Sequence, residues 1–394
     1  MSRIKISIVS GSRAEFGQLL PLLLRIQEDD YFDLDFVVTG SHLSDVGGNT
    51  VSEIQKYPLN ISKRIVVPSI ADNTPGGIGR QIGEIIQLFT EYYCKKRPDI
   101  LLVTGDRYEM FGVGVAGCTL RIPMVHLCGG STTTGAVDEV YRHSLTKMSQ
   151  IHFVTCDVYK KRVIQLGEQP ENVYNVGSLA IENCYKAEKL SEEEFRREIG
   201  LPEDQKYCVV TYHPVTLDGG NEEADMEALI QAMDNFDEYA YVITLSNTDA
   251  GGNKINNLWR KAAENHANFY VVPSLGMKRY LSALKYAEMM IGNSSSGTTE
   301  GPAMHIPTVD IGERQKGRVF ADSILHCDKD KNSIEEAIRY AGSPLFKEQV
   351  RRVKNPFGDG TTSQQMVDLL KKITSKKISV KKTFYDLNRG DIYE

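Results

Sequence analysis

The sequence predicts an α/β protein made of two successive doubly wound halves, and three observations carry that prediction. Short β-branched runs alternate with segments of helical periodicity along almost the whole chain. Most of those runs are continuously apolar, as strands buried on both faces of a parallel sheet must be. The alternation breaks near the middle of the 394 residues and then restarts, and a chain of that length exceeds one ordinary core.

In order, IKISIVSG (4–11) reads as a strand and EFGQLLPLLLRIQED as the helix that follows it. Strands are then expected at LDFVVTG (34–40), RIVVPS (64–69), DILLVTGD (99–106), MVHLCGG (124–130) and IHFVTCD (151–157), with a helix around GRQIGEIIQLFTEYYCKKR. Residues 186–206 are charged and contain Pro202, which suits a linker plus a helix. The second series is YCVVTYH (207–213), YAYVITLS (239–246), FYVVPS (269–274), MMIGNSS (289–295) and PTVDIG (307–312). The expected division is a first domain over 1–185, a second over 186–370, and a tail, 371–394, able to pack back on the first domain.

Composition narrows the partners. The net charge is −6 and no long Lys/Arg block occurs, which argues against nucleic acid. The seven cysteines include no CxxC pair, so neither a disulfide framework nor a metal site is expected. No signal-peptide pattern opens the chain and no apolar run reaches membrane-spanning length, so the reading is cytoplasmic, without a membrane partner.

Ligands of open parallel sheets bind beyond the carboxyl ends of the strands, and the reactive residue types gather there. After the first strand, Ser10-Gly11-Ser12-Arg13 permits a tight turn into a helix start, where an anion is favoured. Arg13 either meets a phosphate or base, or is the solvated arginine of an ordinary turn. Neither GxxxxGK[ST] nor GxGxxG is present there, and no cofactor is expected. Thr104-Gly105-Asp106-Arg107-Tyr108-Glu109 sets charges directly after an apolar strand, so Asp106 either faces a ligand or caps the next helix. The Gly129-Gly130 pair before Ser131 lets backbone approach a ligand closely. Farther on, Asp138 and Arg142 stand four apart, as do Glu139 and His143, so each pair shares a helix face. A carboxylate so placed can serve as general acid or base; the plain alternative is a helix with two ion pairs. In the second half His213 ends a strand. The loop Gly292-Asn293-Ser294-Ser295-Ser296-Gly297 suits a diphosphate, with Glu300 one turn on to receive ribose hydroxyls. Arg314, Lys316 and Arg318 form either a solvated surface or a basic loop facing a nucleotide.

The stretches SGSRAE, VTGDRYEM, HLCGGSTTTGAVDEVYRHSLTKMSQIHF, VYNVGSLAIE, GNSSSGTTEGP and NPFGDG, in this order over roughly 4–375, resemble the hydrolysing UDP-N-acetylglucosamine 2-epimerases of the sialic and legionaminic acid precursor branch. The resemblance implies a GT-B-like fold of two Rossmann-like domains with a central cleft. It also implies conversion of UDP-N-acetylglucosamine, or a close 2-acetamido sugar nucleotide, and water to an N-acetylmannosamine-type sugar and UDP. Asp106, Asp138, Glu139 and His213 are then the catalytic residues. Arg13, Glu109, Gly130, Ser131, Arg142, His143, Ser294, Ser295, Ser296, Gly297, Glu300, Arg314 and Arg318 are the binding residues. A homodimer or homotetramer is implied.

One departure bears on the substrate. The family motif carries a glutamate after the Gly-Gly pair, and this chain has Ser131, which cannot replace a general base. Either the sugar differs, as in the branch that acts on 2,4-diacetamido-2,4,6-trideoxy sugars, or Glu109 or Glu139 takes the role, or the protein is impaired. The rival classes are a GT-B glycosyltransferase and a non-catalytic sugar-nucleotide sensor. The carboxylates at the first domain's strand ends argue against the former.

Overall fold

A computed structural model describes residues 3–44, 50–72, 74–133, 137–214, 221–246 and 252–387. Gly135, within the HLCGGSTTTGAVDEVYRHS motif, lies outside them. The chain forms two compact units. One comprises residues 1–131, 137–183 and 357–394, and the other 132–136 and 184–356.

The first unit runs β1 (Ile4–Ser10), α1 (Arg13–Glu28), β2 (Phe32–Val38), α2 (Val51–Ile54), β3 (Lys63–Arg64), α3 (Pro75–Lys95) and β4 (Ile100–Thr104). It continues through α4 (Tyr108–Thr119), β5 (Met124–Leu127), α5 (Asp138–Met148), β6 (Ile151–Val154), α6 (Asp157–Gln165) and β7 (Val173–Asn175) into α7 (Leu179–Lys186). The second unit holds α8 (Glu192–Ile199), β8 (Lys206–Thr211), α9 (Glu222–Met233), β9 (Tyr239–Thr244), α10 (Gly252–Ala263), β10 (Phe269–Val272) and α11 (Gly276–Tyr286). It closes with β11 (Met290–Gly292), α12 (Ser295–Ala303), β12 (Thr308–Ile311), β13 (Ile324–Cys327), α13 (Lys331–Ala341) and α14 (Pro344–Val350), before α15 (Thr362–Thr374) rejoins the first unit.

Both sheets are parallel, in the orders β3-β2-β1-β4-β5-β6-β7 and β10-β9-β8-β11-β12-β13. Each is the Rossmann arrangement, as the GT-B-like reading requires. In each the strand order reverses between two central strands, β1 and β4 or β8 and β11, and a ligand site is expected at that switch point. The apolar runs are buried as predicted; every residue of β4 and β9 is inaccessible or nearly so. Helix α3 shows how a face is chosen. Gln81, Ile85, Phe89 and Tyr93 recur every four residues and are its buried stripe. Thr74 caps it by accepting from Gly77 N at 3.0 Å, and Pro75 sits where its missing N–H costs nothing.

The run RIVVPS is a strand only at its start. Ile65 N still donates to Val38 O, but Val66 is exposed and Pro68 has no N–H to give, so this edge run leaves the ladder. The sequence reading also lacked β7 and β13. Both are edge strands of three or four residues, too short to show a period.

Helix α15 is held within the first unit by a buried carboxylate. Glu182 accepts from Ser363 N and Ser363 Oγ, each at 2.7 Å, at the positive end of that helix. Arg25 Nε donates to the same hydroxyl at 2.6 Å. Glu182→Ala is therefore expected to destabilise the protein by about 2–3 kcal/mol through charge-assisted hydrogen bonds lost and an N–H left bare. Denaturant titration of both proteins measures this, and an unchanged midpoint would refute it.

Candidate active site

The turn after β1 is filled by the chain itself. Ser12 and Glu15 form a capping box, and Glu15 Oε2 accepts from Gly11 N at 2.6 Å and Ser12 N at 3.1 Å. The place expected for an anion at this helix start is thus taken by the protein's own carboxyl, and Arg13 is half-buried at the first helical position. Glu15 is buried beside Glu109, itself fully buried and paired with Arg107 at 3.1 and 3.3 Å. Gly11 lies against both carboxylates: a Cβ there would come within 3.2 Å of Glu109 Cβ and 3.3 Å of Glu15 Oε2. Burial, and after it the Glu109 charge, pushes the Glu15 carboxyl up to about 8. Its Oε1 is buried and makes no hydrogen bond within the protein. Sequence reasoning did not assign Glu15 because S-x-x-E at a helix start is ordinarily only a cap.

At the end of β4, Arg107 occupies the N-cap position of α4 and no side chain caps that helix. The capping alternative for Asp106 therefore falls away, and its carboxylate pairs with Arg142. Arg142 is only 2% exposed although it is charged. Its Nη1 also donates to Glu139 Oε2 at 2.6 Å and to the Ser131 carbonyl at 3.1 Å. Burial opposes the guanidinium charge, but Asp106, and then Glu139 and Asp138, outweigh it and raise its pKa. Glu139 Oε1 is 2.9 Å from His143 Nε2, as the spacing of four predicts. Arg142 instead turns to Glu139, three residues back, and across to β4. Asp138 opens α5 half-buried, close enough to act electrostatically on Arg142 and Tyr141.

Beneath this network His126 of β5 joins two elements. Its Nε2 is 2.9 Å from the Gly105 carbonyl and its Nδ1 3.1 Å from Thr146 Oγ1 of α5. Burial pushes the imidazole down to about 3, so it is a neutral strut. The Gly-Gly turn serves packing first. Gly130 has φ +82°, and a Cβ there would sit 2.4 Å from the Tyr159 carbonyl oxygen. Its own carbonyl accepts from Arg162 Nη1 at 2.8 Å.

The second unit repeats the design at its own switch point. Asn293, directly after β11, accepts from His213 N at 2.7 Å and donates to His213 O at 2.8 Å, which braces the ends of β11 and β8. Its carbonyl receives Arg314 Nη1 at 3.1 Å and Gln315 Nε2 at 2.7 Å. Sequence reasoning assigned neither Asn293 nor Gln315; only a Gly-Asn-Ser turn after an apolar strand hints at the first. His213 Nδ1 lies 2.9 Å from Ser246 Oγ. Burial and then Arg314 push its imidazole down to about 3, so it acts as a neutral hydrogen-bonding group. Ser294 is the N-cap of α12, and Ser295, at the first helical position, is exposed. Ser296 Oγ accepts from Tyr280 Oη at 2.7 Å. Gly297 packs: a Cβ there would meet Thr308 Cγ2 at 2.7 Å. Burial pushes Glu300 up to about 7, against the pull of its hydrogen bond to Ser296 and of the Arg318 charge. Arg318 donates to Thr132 O at 3.2 Å and Thr133 Oγ1 at 3.1 Å, residues that group with this unit. Lys316 pairs at the surface with Glu313. The basic run is thus divided, with Arg314 and Arg318 turned inward.

Glu15 makes stability depend on pH. With its folded pKa raised from the ordinary 4.5 to about 8, the native state holds a proton that the unfolded state releases. That contribution is complete below pH 4.5 and lost as pH rises through 8. Glu15→Gln does not titrate, so its stability relative to the parent is expected to improve from pH 5 to 8.5, by at most about 1.4 kcal/mol per pH unit. Parallel unfolding curves at all pH values would contradict it.

Comparison with known proteins agrees with this architecture. The family model described as UDP-N-acetylglucosamine 2-epimerase matches residues 24–371. The chain is 36% identical to the GDP/UDP-N,N'-diacetylbacillosamine 2-epimerase (hydrolyzing) of Campylobacter jejuni, over 88% of this chain and 90% of that one. It is 34% identical to the polysialic acid biosynthesis protein P7 of Escherichia coli, over 97% of both. It is 32% identical to the UDP-N,N'-diacetylbacillosamine 2-epimerase (hydrolyzing) of Legionella pneumophila, over 94% of this chain and 96% of that one. Among solved structures, UDP-GlcNAc 2-epimerase from Neisseria meningitidis bound to UDP-GlcNAc superposes with a TM-score of 0.79 over 94% of this chain and all of that one, at 17% identity, which speaks for the fold. With a family model spanning most of its length and relatives above 30% identity, the chain belongs to the UDP-N-acetylglucosamine 2-epimerase family.

Proposed function

We propose that this family member is a hydrolysing 2-epimerase whose acid–base groups stand at the switch point of the first unit and whose nucleotide groups stand at that of the second. The observation that carries the reading is the buried Arg142, which holds Asp106 and Glu139 together where β1 and β4 diverge. A general base at this place removes the proton on C2 of the sugar. The C1–O bond then breaks, its electron pair leaves with the nucleoside diphosphate, and a C1=C2 glycal remains. Water adds its hydroxyl to C1, and a proton is delivered to C2 from the opposite face, which inverts the acetamido group. Asp106 and Asp138 are the proton-transfer pair, with Glu139 and His143 shaping the field around them. Glu109 stands behind them with Arg107, and Gly130 lets the backbone turn toward the sugar. The hydroxyls of Ser294, Ser295 and Ser296 meet the nucleotide, Glu300 its ribose, and Arg314 and Arg318 the charge of the leaving diphosphate. His213, neutral, donates or accepts a hydrogen bond there and carries no charge.

For the sugar, the reading we favour is a UDP- or GDP-linked 2,4-diacetamido-2,4,6-trideoxyglucose. Two relatives above 30% identity are named for N,N'-diacetylbacillosamine. Ser131, in place of the family glutamate, fits a sugar site rebuilt without that carboxylate. Ser131 enters the network through its carbonyl, which any residue supplies. The second reading is UDP-N-acetylglucosamine itself, the substrate that names the family.

Product analysis by NMR with both sugar nucleotides side by side distinguishes these. Release of the free 2-epimerised sugar with nucleoside diphosphate is expected, faster from the 2,4-diacetamido substrate. Binding without turnover of either would make the protein a sensor, and hydrolysis without inversion at C2 would sink the epimerase reading. Asp106→Asn and Asp138→Asn are each expected to lower kcat by a factor of about 10² or more, with nucleotide affinity kept. Ser131→Ala, which preserves the carbonyl, is expected to stay within about tenfold of the parent. Full activity of either asparagine variant would remove that residue from the proton-transfer role.

A further inference from the structure

Helix α5 carries the residues of the proposed chemistry, and its last carbonyls lack partners within the helix. A segment from the far end of the sequence meets them. The Lys382 ammonium donates to Lys147 O at 2.8 Å, Ser149 O at 2.5 Å and Thr146 O at 3.4 Å. It also pairs with the Glu168 carboxylate at 2.6 Å. Glu168 is buried, and it takes Lys147 Nζ from the last turn of α5 at 2.7 Å and His152 Nε2 from β6 at 3.0 Å. Burial alone would raise this carboxyl, but hydrogen bonds from His152, Lys147 and Lys382 prevail and hold it near 2.

The residues around Lys382 fasten the segment. Tyr385 N donates to Gly167 O at 2.9 Å, and Gln169 Nε2 to Thr383 Oγ1 at 2.9 Å. Phe384 lies across Gly167, where a Cβ would come within 2.3 Å of the ring. The Lys147 ammonium stands 4.9 Å from the centroid of that ring, so the end of α5 is gripped from two sides.

We propose that residues 379–387 are a strap that sets the position of α5, with Lys382 as a positioning residue for Asp138, Glu139 and Arg142. A cation on the last carbonyls answers the negative end of the helix dipole, while Arg142 and its carboxylates define the other end. The two ends are linked inside the helix: Thr146 Oγ1 donates to Arg142 O at 3.2 Å and meets His126 below. Slack at Lys382 therefore reaches the turn that holds Arg142. The positioning role rests on the proposed function; the anchoring of α5 does not.

Three full-length variants test this. Lys382→Met keeps the stem and loses the cation, Lys382→Arg restores a cation, and Phe384→Ala removes a largely exposed ring from a chain that retains every buried charge. In Lys382→Met, amide exchange over 143–149 is expected to rise about tenfold or more. Its kcat is expected to fall about fivefold or more with KM kept within about twofold. Lys382→Arg recovers most of both, and Phe384→Ala shifts both in the same direction by less. Should Lys382→Met fail to fold, Phe384→Ala carries the comparison. Unchanged exchange in the folded variants overturns the strap, and raised exchange with unchanged kcat overturns its positioning role. A fully active Asp138→Asn protein would instead count against the reading of α5, a result independent of Lys382.

Discussion

A guanidinium that is almost entirely removed from water imposes the order of the first unit's site. A charge so placed is strongly unfavourable unless it is paired and hydrogen-bonded throughout. Arg142 meets that demand with Asp106 from the end of β4, Glu139 from its own helix and the Ser131 carbonyl from the loop after β5. The end of β4, 36 residues away, is thereby brought to the same cation as the loop and helix next to it. Moving either carboxylate would strand a charge, so the arrangement is stiff where the proposed proton transfer needs fixed distances. The same demand spreads outward. His126 ties Gly105 to Thr146, and Glu168 gathers His152, Lys147 and Lys382 at the opposite end of α5.

The second unit is organised by a neutral group instead. Asn293 donates and accepts across to His213 and offers its carbonyl to Arg314 and Gln315. Gly292, at φ +135°, is what allows this, since a Cβ there would lie 2.0 Å from the Thr211 carbonyl oxygen. The result is a braced turn of polar backbone beside the start of α12, with the Arg314 guanidinium on the Asn293 carbonyl.

Burial gives several titratable groups roles different from the ones their types suggest. His213 and His126 are neutral at physiological pH, and Glu15 and Glu300 are pushed up to about 8 and about 7. Burial therefore leaves His126 and His213 neutral and favours the protonated form of Glu15, while Arg142 keeps its charge through its carboxylate partners. That division keeps net charge low in regions poor in water, where each unpaired ion would be costly.

Much of this was legible in the sequence. Continuous apolar runs alternating with helical periodicity dictate parallel sheets, and the restart near residue 207 dictates two of them. Loops rich in Gly, Ser, Asp and Arg marked the carboxyl ends of the strands as the ligand side, and the motif around Asp138 marked the family. These are local properties: strand burial, turn chemistry and helix faces follow from residues within a few positions of one another. What only the tertiary structure decided are the partnerships across long separations. Arg142 reaches Asp106 at the end of β4, Glu15 fills the turn that looked ready for an anion, and Lys382 reaches Glu168 and the end of α5. Each of these is set by which polar groups are buried together and must satisfy one another, and burial is a property of the packed chain that no short stretch of sequence contains.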